Sequence, residues 1–411
     1  MGLLVLVLAA GLLLRLVVQS QVPREIRGDS RQYLLLASNL AQGRGFSHSP
    51  GPLYPPDCLR TPGYVAFLVP FVSLAVEAPR AVYLAQSLLD LACAAALYYL
   101  VVVTVGGRLR PLLAASLYAA HPLAAALATQ VLADGGTALL VVIWLLFLGA
   151  AGQTPRAGLW AASGGAALLL ALWKPALLPL ALGVHLGLAL GRRGPAWLGL
   201  ALLLVLLAPW AWRNYQVGGQ FTPMPLASLG GTMYLGLVRT ADPPLTHQGE
   251  EEWRVFERQW GAGDVWPPEA MRVDRRLKEV LVQAIAAHPD RYFQRVLQQA
   301  GELWWSPGGV AQNVAPEVLP RAFTLARAAV WFQRGLVLLA LVGLARSLRR
   351  LPDLRLHLLV VGYVGLIYPL VLVEGRFLAP ALPSLCLFAS LAFEPLRPRE
   401  MAPGLPPRGD P

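Results

Sequence analysis

Long apolar segments recur along most of the chain. Each is long enough to cross roughly 30 Å of hydrocarbon as a helix. About ten of them are present, near residues 2–19, 80–105, 111–131, 136–152, 157–173, 175–190, 195–211, 323–345, 355–373 and 376–393. The pattern predicts an all-α polytopic membrane protein with about ten transmembrane helices.

The first apolar segment has the position of a signal peptide but not its other features. It lacks a basic start and a small-x-small cleavage site, and Arg15 interrupts it. We therefore expect it to remain in the protein as a membrane anchor.

Basic residues are concentrated in the short connections between apolar segments. With the N-terminus in the cytoplasm, every short basic connection lies inside, as the positive-inside rule requires. These residues are Arg108, Arg110, Arg156, Arg192, Arg193, Arg346, Arg349, Arg350, Arg397 and Arg399. The pattern predicts a multi-pass membrane protein with both termini in the cytoplasm. We expect its membrane to be the bacterial inner or plasma membrane.

Two long polar segments, residues 20–79 and 212–322, then lie outside the cytoplasm. The sequence thus divides into 1–211 with seven helices and the first outer loop, 212–322 as an outer subdomain, and 323–411 with three helices and a tail. Two amphipathic helices are predicted in the outer subdomain, after Pro267-Pro268 and after Pro289. Their apolar faces are Val273, Leu277, Val280, Leu281 and Ala284, and Tyr292, Phe293, Val296, Leu297 and Ala300. We expect both to pack on the membrane face or to cover a site there.

Composition excludes an ordinary cytosolic enzyme and a disordered regulator. Of the 411 residues 56% are hydrophobic and 14% are charged, against roughly 25% charged in soluble proteins. The net charge of +11 comes from 34 Lys and Arg against 23 Asp and Glu. Because membrane orientation accounts for this excess, we expect no nucleic-acid partner. The three cysteines have no metal or disulfide spacing, and no P-loop motif occurs.

Ionisable residues gather at the outer ends of the predicted spans. They are Asp29, Asp134, Lys174, Arg213, Glu374 and Arg376. Charged groups at membrane depth are costly and are usually functional or paired. A single site is expected, in which cations hold the phosphate of a membrane-held substrate and a carboxylate accepts a proton.

Each of these residues also has a structural interpretation. Asp29 could be the N-cap of a helix with Tyr33, Leu36, Ala37 and Leu40 on one face, and Gln32 would complete a capping box. A capping geometry would also hold the carboxylate rigidly, so the two interpretations are compatible.

The other candidates have comparable alternatives. Arg60, before the Pro62-Gly63 turn, binds phosphate or extends to the interface, as does Lys174. Asp134 could cap a span, and Arg213 could belong to an aromatic belt of Trp210, Trp212 and Tyr215. Glu374 and Arg376 lie two positions apart, where helical side chains do not face each other, so separate partners are expected.

Four passages resemble the GT-C membrane glycosyltransferases, in particular the family 39-like group with the protein O-mannosyltransferases and the bacterial aminoarabinose transferases. They are Gly28-Asp29-Ser30 with Tyr33 and residues 37–46, Arg60-Thr61-Pro62-Gly63-Tyr64, residues 208–215 with 230–236, and Glu374-Gly375-Arg376-Phe377 with Pro380 and Pro383. Each passage alone is a weak signal, whereas their order and spacing over residues 28–383 are fairly specific.

The resemblance implies a GT-C fold, a polyprenyl phosphate-linked sugar donor and transfer on the outer face of the membrane. It implies Asp29 as the catalytic base. The chain departs from related sequences at Asp134, where Glu is frequent, and at Lys174, where Arg is frequent. It also lacks the large soluble C-terminal domain of some members, which leaves the acceptor open among glycolipid, polysaccharide and protein.

The sequence thus predicts an inverting glycosyltransferase in which Asp29 deprotonates an acceptor hydroxyl. Arg60, Lys174, Arg213 and Arg376 would hold the lipid phosphate, with Asp134 and Glu374 as supporting acids. No cofactor and no required metal are expected, with a divalent cation as the alternative. The competing functions are a transporter or flippase of lipid-linked sugars, a polymerase or ligase of such sugars, and an inactive relative that serves as a binding subunit.

Overall fold

The computed structural model describes residues 2–74, 78–154, 156–191, 194–262, 266–306, 319–348 and 351–393. These parts of the chain are helices joined by short connections, and they contain no β-strand. The predictions for Arg192, Arg193, Arg349, Arg350 and the tail arginines Arg397 and Arg399 lie outside the described residues.

Seventeen α-helices follow one another in the described residues. They are α1 Gly2–Gln21, α2 Gly28–Ala41, α3 Pro62–Leu74, α4 Ala78–Thr104, α5 Leu109–Ala119, α6 Pro122–Ala128, α7 Asp134–Gln153, α8 Ala157–Trp173, α9 Leu178–Leu190, α10 Trp197–Gly218, α11 Leu229–Tyr234, α12 Glu250–Ala262, α13 Pro267–Ala287, α14 Pro289–Trp305, α15 Leu319–Arg346, α16 Leu351–Ile367 and α17 Leu382–Ser390. A π-helix, Leu235–Arg239, extends α11, and a 3₁₀ helix, Gly375–Leu378, precedes α17.

Five described helices are long and apolar enough to cross a membrane, namely α1, α4, α7, α10 and α15. The pair α5 and α6, bent by 56°, would make a sixth if it forms one span. The predicted spans 157–173, 175–190, 355–373 and 376–393 correspond to shorter helices. The all-α, multi-span architecture is confirmed, while the number of ten spans stays a prediction.

A proline explains why the predicted span 355–373 ends early as a helix. Pro369 follows the end of α16 at Ile367, and the residue before a proline disfavours helical backbone. The chain then runs without α-helix to Leu382. This interruption places Glu374 and Arg376 on irregular and 3₁₀ backbone at the end of the bundle.

Small residues allow the helices of the bundle to pack closely. A Cβ atom at Gly164 of α8 would overlap the carbonyl oxygen of Gly199 in α10. One at Gly343 of α15 would overlap the carbonyl oxygen of Phe388 in α17. Such close backbone contacts are a main source of helix association where lipid removes the hydrophobic driving force.

A buried ion pair links α1, α4 and α5. Arg15 is fully buried, and its Nε donates to Asp90 Oδ2 at 2.9 Å. Its Nη1 donates to the carbonyls of Gly11 and Ala119, each at 2.8 Å. The Tyr118 hydroxyl donates to the other oxygen of Asp90 at 2.5 Å. The arginine that interrupts the first apolar segment is therefore neutralised inside the bundle.

The outer subdomain is built on α13. Its predicted apolar face is confirmed, because Val273, Leu277, Val280, Leu281 and Ala284 are all buried. All of them except Val280 pack with Tyr234, Trp253 and Phe256 into a separate core.

The predicted apolar face of α14 is not buried within the protein, so its packing on the membrane face stays a prediction. The buried residues of α14 are Gln299 and Leu303, whereas Phe293 and Leu297 are 63% and 57% exposed. The helix is turned this way because the Gln299 amide bonds to the backbone after α16. The limits of the three predicted domains stay a prediction.

Candidate active site

A cavity of about 520 Å³ lies where α2, the ends of α7 and α8, the 3₁₀ helix before α17 and the outer subdomain meet. It is lined by Asp29, Tyr33, Arg60, Asp134, Lys174, Gly231, Thr232, Leu235, Trp253, Phe256, Glu257, Leu372, Glu374, Arg376 and Phe377. Six of the seven site residues expected from the sequence are among them. Residues far apart in the chain therefore meet at one charged cavity.

Asp29 lies in the first turn of α2 and accepts from two arginines. Arg60 Nη2 donates to its Oδ1 at 2.5 Å, and Arg376 Nη1 donates to its Oδ2 at 2.8 Å. The N-cap interpretation is wrong, because α2 begins at Gly28 with Arg27 as its N-cap residue. Gln32 forms no capping box there, and its Oε1 accepts from Arg60 at 2.7 Å.

The turn that carries Arg60 is held by Asp57. Its Oδ1 accepts from the backbone N–H groups of Leu59 and Arg60 at 2.9 and 2.8 Å. Its Oδ2 lies 2.5 Å from Nδ1 of His48, and both side chains are buried. Sequence reasoning missed this pair, although Asp three residues before a turn-forming position is a recognisable signal for such bonds.

Arg376 also pairs with Glu374, with 2.6 Å between Nε and Oε2. The expectation of separate partners for these two residues is therefore wrong. It assumed helical geometry, whereas Glu374 has extended backbone before the 3₁₀ helix. An extended residue can turn its side chain toward the one two positions on.

Asp134 and Lys174 form a second ion pair in the cavity. Lys174 Nζ donates to Asp134 Oδ1 at 2.7 Å and lies 5.0 Å from the centre of the Phe377 ring. Asp134 is the first residue of α7, after the N-cap residue Ala133, so it does not cap that helix. Lys174 ends α8 and points into the cavity rather than to the interface.

Arg213 is absent from the residues that line the cavity. Its guanidinium lies 4.9 Å from the ring of Trp210 and 5.4 Å from that of Phe46. It also donates to Asn214 Oδ1 at 3.2 Å. These contacts fit the aromatic-belt interpretation better than phosphate binding.

The two arginines determine the charge state of Asp29. Burial alone raises the pKa of its carboxyl group, but the charges and hydrogen bonds of Arg60 and Arg376 outweigh burial, and the pKa lies well below its usual range. Burial raises the pKa of the neighbouring Tyr33 to about 12. Near neutral pH, Asp29 is therefore an anion and Tyr33 a neutral hydroxyl.

Part of the cavity lining is aromatic, and the sequence analysis did not predict this. Trp253 and Phe256 of α12 line it, and Glu257 stands beside them. The rings of Tyr234, Trp253 and Phe256 stack in series, with centroids 5.6 and 5.5 Å apart. The sequence does contain a signal for it, because Trp253 and Phe256 lie three residues apart, on one face of a helix that begins with three glutamates.

Three carboxylates that line the cavity form ion pairs with basic side chains. Asp29 pairs with Arg60 and Arg376, Asp134 with Lys174, and Glu374 with Arg376. Within the described parts of the chain, no three His, Cys, Asp or Glu side chains are grouped as ligands for one metal ion. An incoming anion could bind to Arg60 and Arg376 in place of the carboxylates that they now contact.

The chain is similar in fold to two solved structures. One is the archaeal oligosaccharyltransferase AglB from Archaeoglobus fulgidus in complex with an inhibitory peptide and a dolichol-phosphate, at 14% identity and a TM-score of 0.49. This match covers 95% of the present chain and 50% of AglB, so the chain spans half the length of that protein. The other is ArnT from Cupriavidus metallidurans bound to undecaprenyl phosphate, at 18% identity and a TM-score of 0.41, covering 94% of this chain and 77% of ArnT.

No protein-family model and no curated protein matches the chain. Both structural matches are below 25% identity, so they show a moderate likeness in fold alone.

Proposed function

We propose that the protein is an integral-membrane inverting glycosyltransferase that moves a sugar from a polyprenyl phosphate donor to a hydroxyl acceptor on the outer face of the membrane. The observation that carries the proposal is the Asp29 carboxylate held between Arg60 and Arg376 in a cavity at the end of an apolar helix bundle. A base and two phosphate-binding groups are thereby in direct contact.

The two arginines are suited to the phosphate of the donor. A guanidinium presents a planar set of donors that matches phosphate oxygens, and charge-assisted bonds of this kind are the strong ones. Arg60 and Arg376 line the cavity with side chains 13% and 17% exposed, so an anion can reach them. Lys174 supplies a third positive charge, as a point charge rather than a fork.

Asp29 is the proposed base, and donor binding would make it a better one. While both arginines bond to it, its pKa is low and its affinity for a proton is weak. A phosphate that draws the arginines away removes part of that stabilisation, so the carboxylate becomes more basic when the donor is in place. The acceptor oxygen then attacks the anomeric carbon, the bond to the phosphate oxygen breaks, and Asp29 takes the acceptor proton.

The rest of the cavity has supporting roles in this reaction. A phosphate is a good leaving group, so positioning and electrostatic stabilisation account for most of the catalysis required. Glu374 orients Arg376, and Asp134 orients Lys174. Trp253 and Phe256 add an apolar, aromatic part to the lining of the cavity.

A transfer assay and a transport assay on the same protein test the proposal against its closest rival. The purified protein is reconstituted into liposomes with a radiolabelled polyprenyl phosphate sugar and the lipid extract of its host. We expect the label to move from the polyprenyl phosphate to an acceptor. Movement of the intact lipid-linked sugar across the bilayer, without loss of its sugar, would identify a flippase and refute the transferase.

A further inference from the structure

The residues between α16 and the 3₁₀ helix have irregular backbone close to the membrane-spanning bundle. This linker, residues 368–374, follows Ile367 and leads directly to Glu374 and Arg376. Backbone N–H and C=O groups in such surroundings have to find partners, because water is scarce. The position of Arg376 therefore depends on what binds the linker.

Gln299 of α14 binds the linker at two points. Its Nε2 donates to the carbonyl of Pro369 at 3.1 Å, and its Oε1 accepts from the N–H of Val373 at 2.9 Å. The side chain is fully buried. One amide thus satisfies an acceptor at the start of the linker and a donor at its end, which fixes the length of chain between them.

Two further side chains of α14 extend the contact. The Tyr292 hydroxyl donates to the carbonyl of Leu370 at 3.1 Å. Arg295 Nε donates to the carbonyl of Gly236 in the π-helix at 3.1 Å. Gly236 in turn packs directly on the carbonyl of Val371, where a Cβ atom would overlap it. The helix therefore holds the linker against the segment that carries Leu235 into the cavity.

We infer that Gln299 is a positioning residue, which sets the place of Arg376 relative to Asp29 by holding the linker at Pro369 and Val373. We call the two bonds from Gln299 to Pro369 and Val373 the clamp. The clamp is a property of this fold, whereas its effect on sugar transfer rests on the proposed function. Gln299 does not line the cavity and acts through Arg376.

Hydrogen exchange tests the clamp without reference to activity. Gln299→Met keeps the length of the side chain and removes both bonds. We expect the amides of residues 371–377 to exchange about tenfold faster, with little change elsewhere. Gln298 is exposed on the same helix, so Gln298→Met is the matched control and should leave the exchange unchanged. Parental exchange of this linker in Gln299→Met would overturn the inference.

A double-mutant cycle with Arg376→Lys tests the functional part. In the parental background, Gln299→Met should lower kcat/KM for the donor about 10- to 100-fold, since small misplacements of binding groups have effects of that size. In the Arg376→Lys background the same change should have less than about a twofold effect, because the residue through which Gln299 acts is already altered. Equal losses in both backgrounds would show a general loss of structure and refute the positioning role.

Tyr292→Phe keeps the test decisive if Gln299→Met folds poorly. It removes one hydroxyl and one bond to the linker. We expect a smaller loss in the same direction, again dependent on Arg376, and a loss independent of Arg376 would count against the inference. If the parental protein transfers no sugar from any donor, the proposed function fails, while the exchange result still decides on the clamp.

Discussion

Two clusters of arginine and aspartate in this protein contain the same chemical groups in different settings. In the bundle, Arg15 and Asp90 are 0% and 4% exposed, and Tyr118 and two carbonyls complete their hydrogen bonds. At the cavity, Asp29 is 17% exposed and is shared by Arg60 and Arg376. The first cluster is closed, whereas the second faces 520 Å³ of open volume.

The difference lies in access rather than in the residue types, and access is what would let the cavity cluster react where the buried pair cannot. A closed pair contributes to helix association, and removal of one partner leaves the other charge buried without compensation. An accessible carboxylate with two guanidiniums can release one of them to an incoming anion. Substitutions in the two clusters should therefore affect different measurements.

The largest effect is expected for Asp29→Asn, which removes the proton acceptor and leaves the shape unchanged. Sugar transfer should fall about 10²–10⁴-fold, the usual range for loss of a general base. Thermal unfolding in detergent should shift only moderately, because Asn loses the stabilising charge of Asp29 while Gln32 and Glu374 still partner Arg60 and Arg376. Transfer at the parental rate would end the assignment of Asp29 as base and direct attention to Asp134 and Glu374.

The closed pair should show the opposite behaviour. Asp90→Asn leaves the buried Arg15 charge unneutralised, at a cost of about 3–5 kcal/mol in stability. Denaturation in detergent and the yield of folded protein measure this loss. Molecules that do fold should retain a donor KM within about twofold of the parental value, since the site is elsewhere. A selective loss of donor binding would show that the two clusters are coupled.

A charge-conserving substitution sharpens the comparison. Arg376→Lys keeps the positive charge but cannot bond to Asp29, Glu374 and a phosphate as a fork does. We expect about a tenfold increase in donor KM, with stability nearly unchanged, as measured by initial rates and thermal unfolding. Leu297→Lys adds a charge on the exposed face of α14 and serves as a control that should leave KM unchanged.

The pH dependence follows from the low pKa of Asp29. A carboxyl group whose pKa is lower in the folded than in the unfolded protein stabilises fully above its ordinary pKa, and this contribution is lost as the pH falls below it. With an ordinary value near 3.9, kcat/KM for the donor should show no fall due to Asp29 between about pH 5 and 8. A decline in that interval that Asp29→Asn abolishes would contradict the ion-pair arrangement.

The smallest effect is expected from chelation. Both clusters neutralise carboxylates with arginines, whereas a hard divalent cation binds through grouped oxygen ligands. EDTA should leave the transfer rate within about twofold of its starting value. Complete loss with EDTA, restored by Mg²⁺ or Mn²⁺, would place a metal ion in the phosphate site.

Much of the fold and part of the site could be predicted from the sequence. Apolar length predicts the helices, and the chemistry of Asp29, Arg60 and Arg376 is visible because ionisable residues are rare in such a chain. Which side chains contact which cannot be predicted from the sequence in this way. The Glu374–Arg376 pair depends on extended backbone, which periodicity cannot show, and the start of α2 at Gly28 moves Asp29 from the cap to the first turn.

Other features depend on tertiary contacts that no local pattern encodes. Gln299 occupies a polar position in an amphipathic helix and would be expected to face water, but it is buried because the linker needs hydrogen bonds. Arg15 could be recognised as an interruption of an apolar segment, whereas its partner Asp90 could not be chosen without knowledge of which helices touch. Arg213 is the reverse case, since a cation at the predicted depth lies beside aromatic rings and is not among the residues that line the cavity.

The contacts of Asp29 also have a consequence for synthesis of the protein. Arg60 follows Asp29 by 31 residues, but Arg376 follows it by 347. At the usual rate of translation the second arginine reaches the membrane on the order of tens of seconds after the first. Until then the nascent protein has the Asp29 carboxylate with one guanidinium, and half of the proposed phosphate site. The proposed active site is completed only when the last helices are inserted, so a protein shortened before residue 376 would be anchored and partly folded, yet would lack the second arginine beside Asp29.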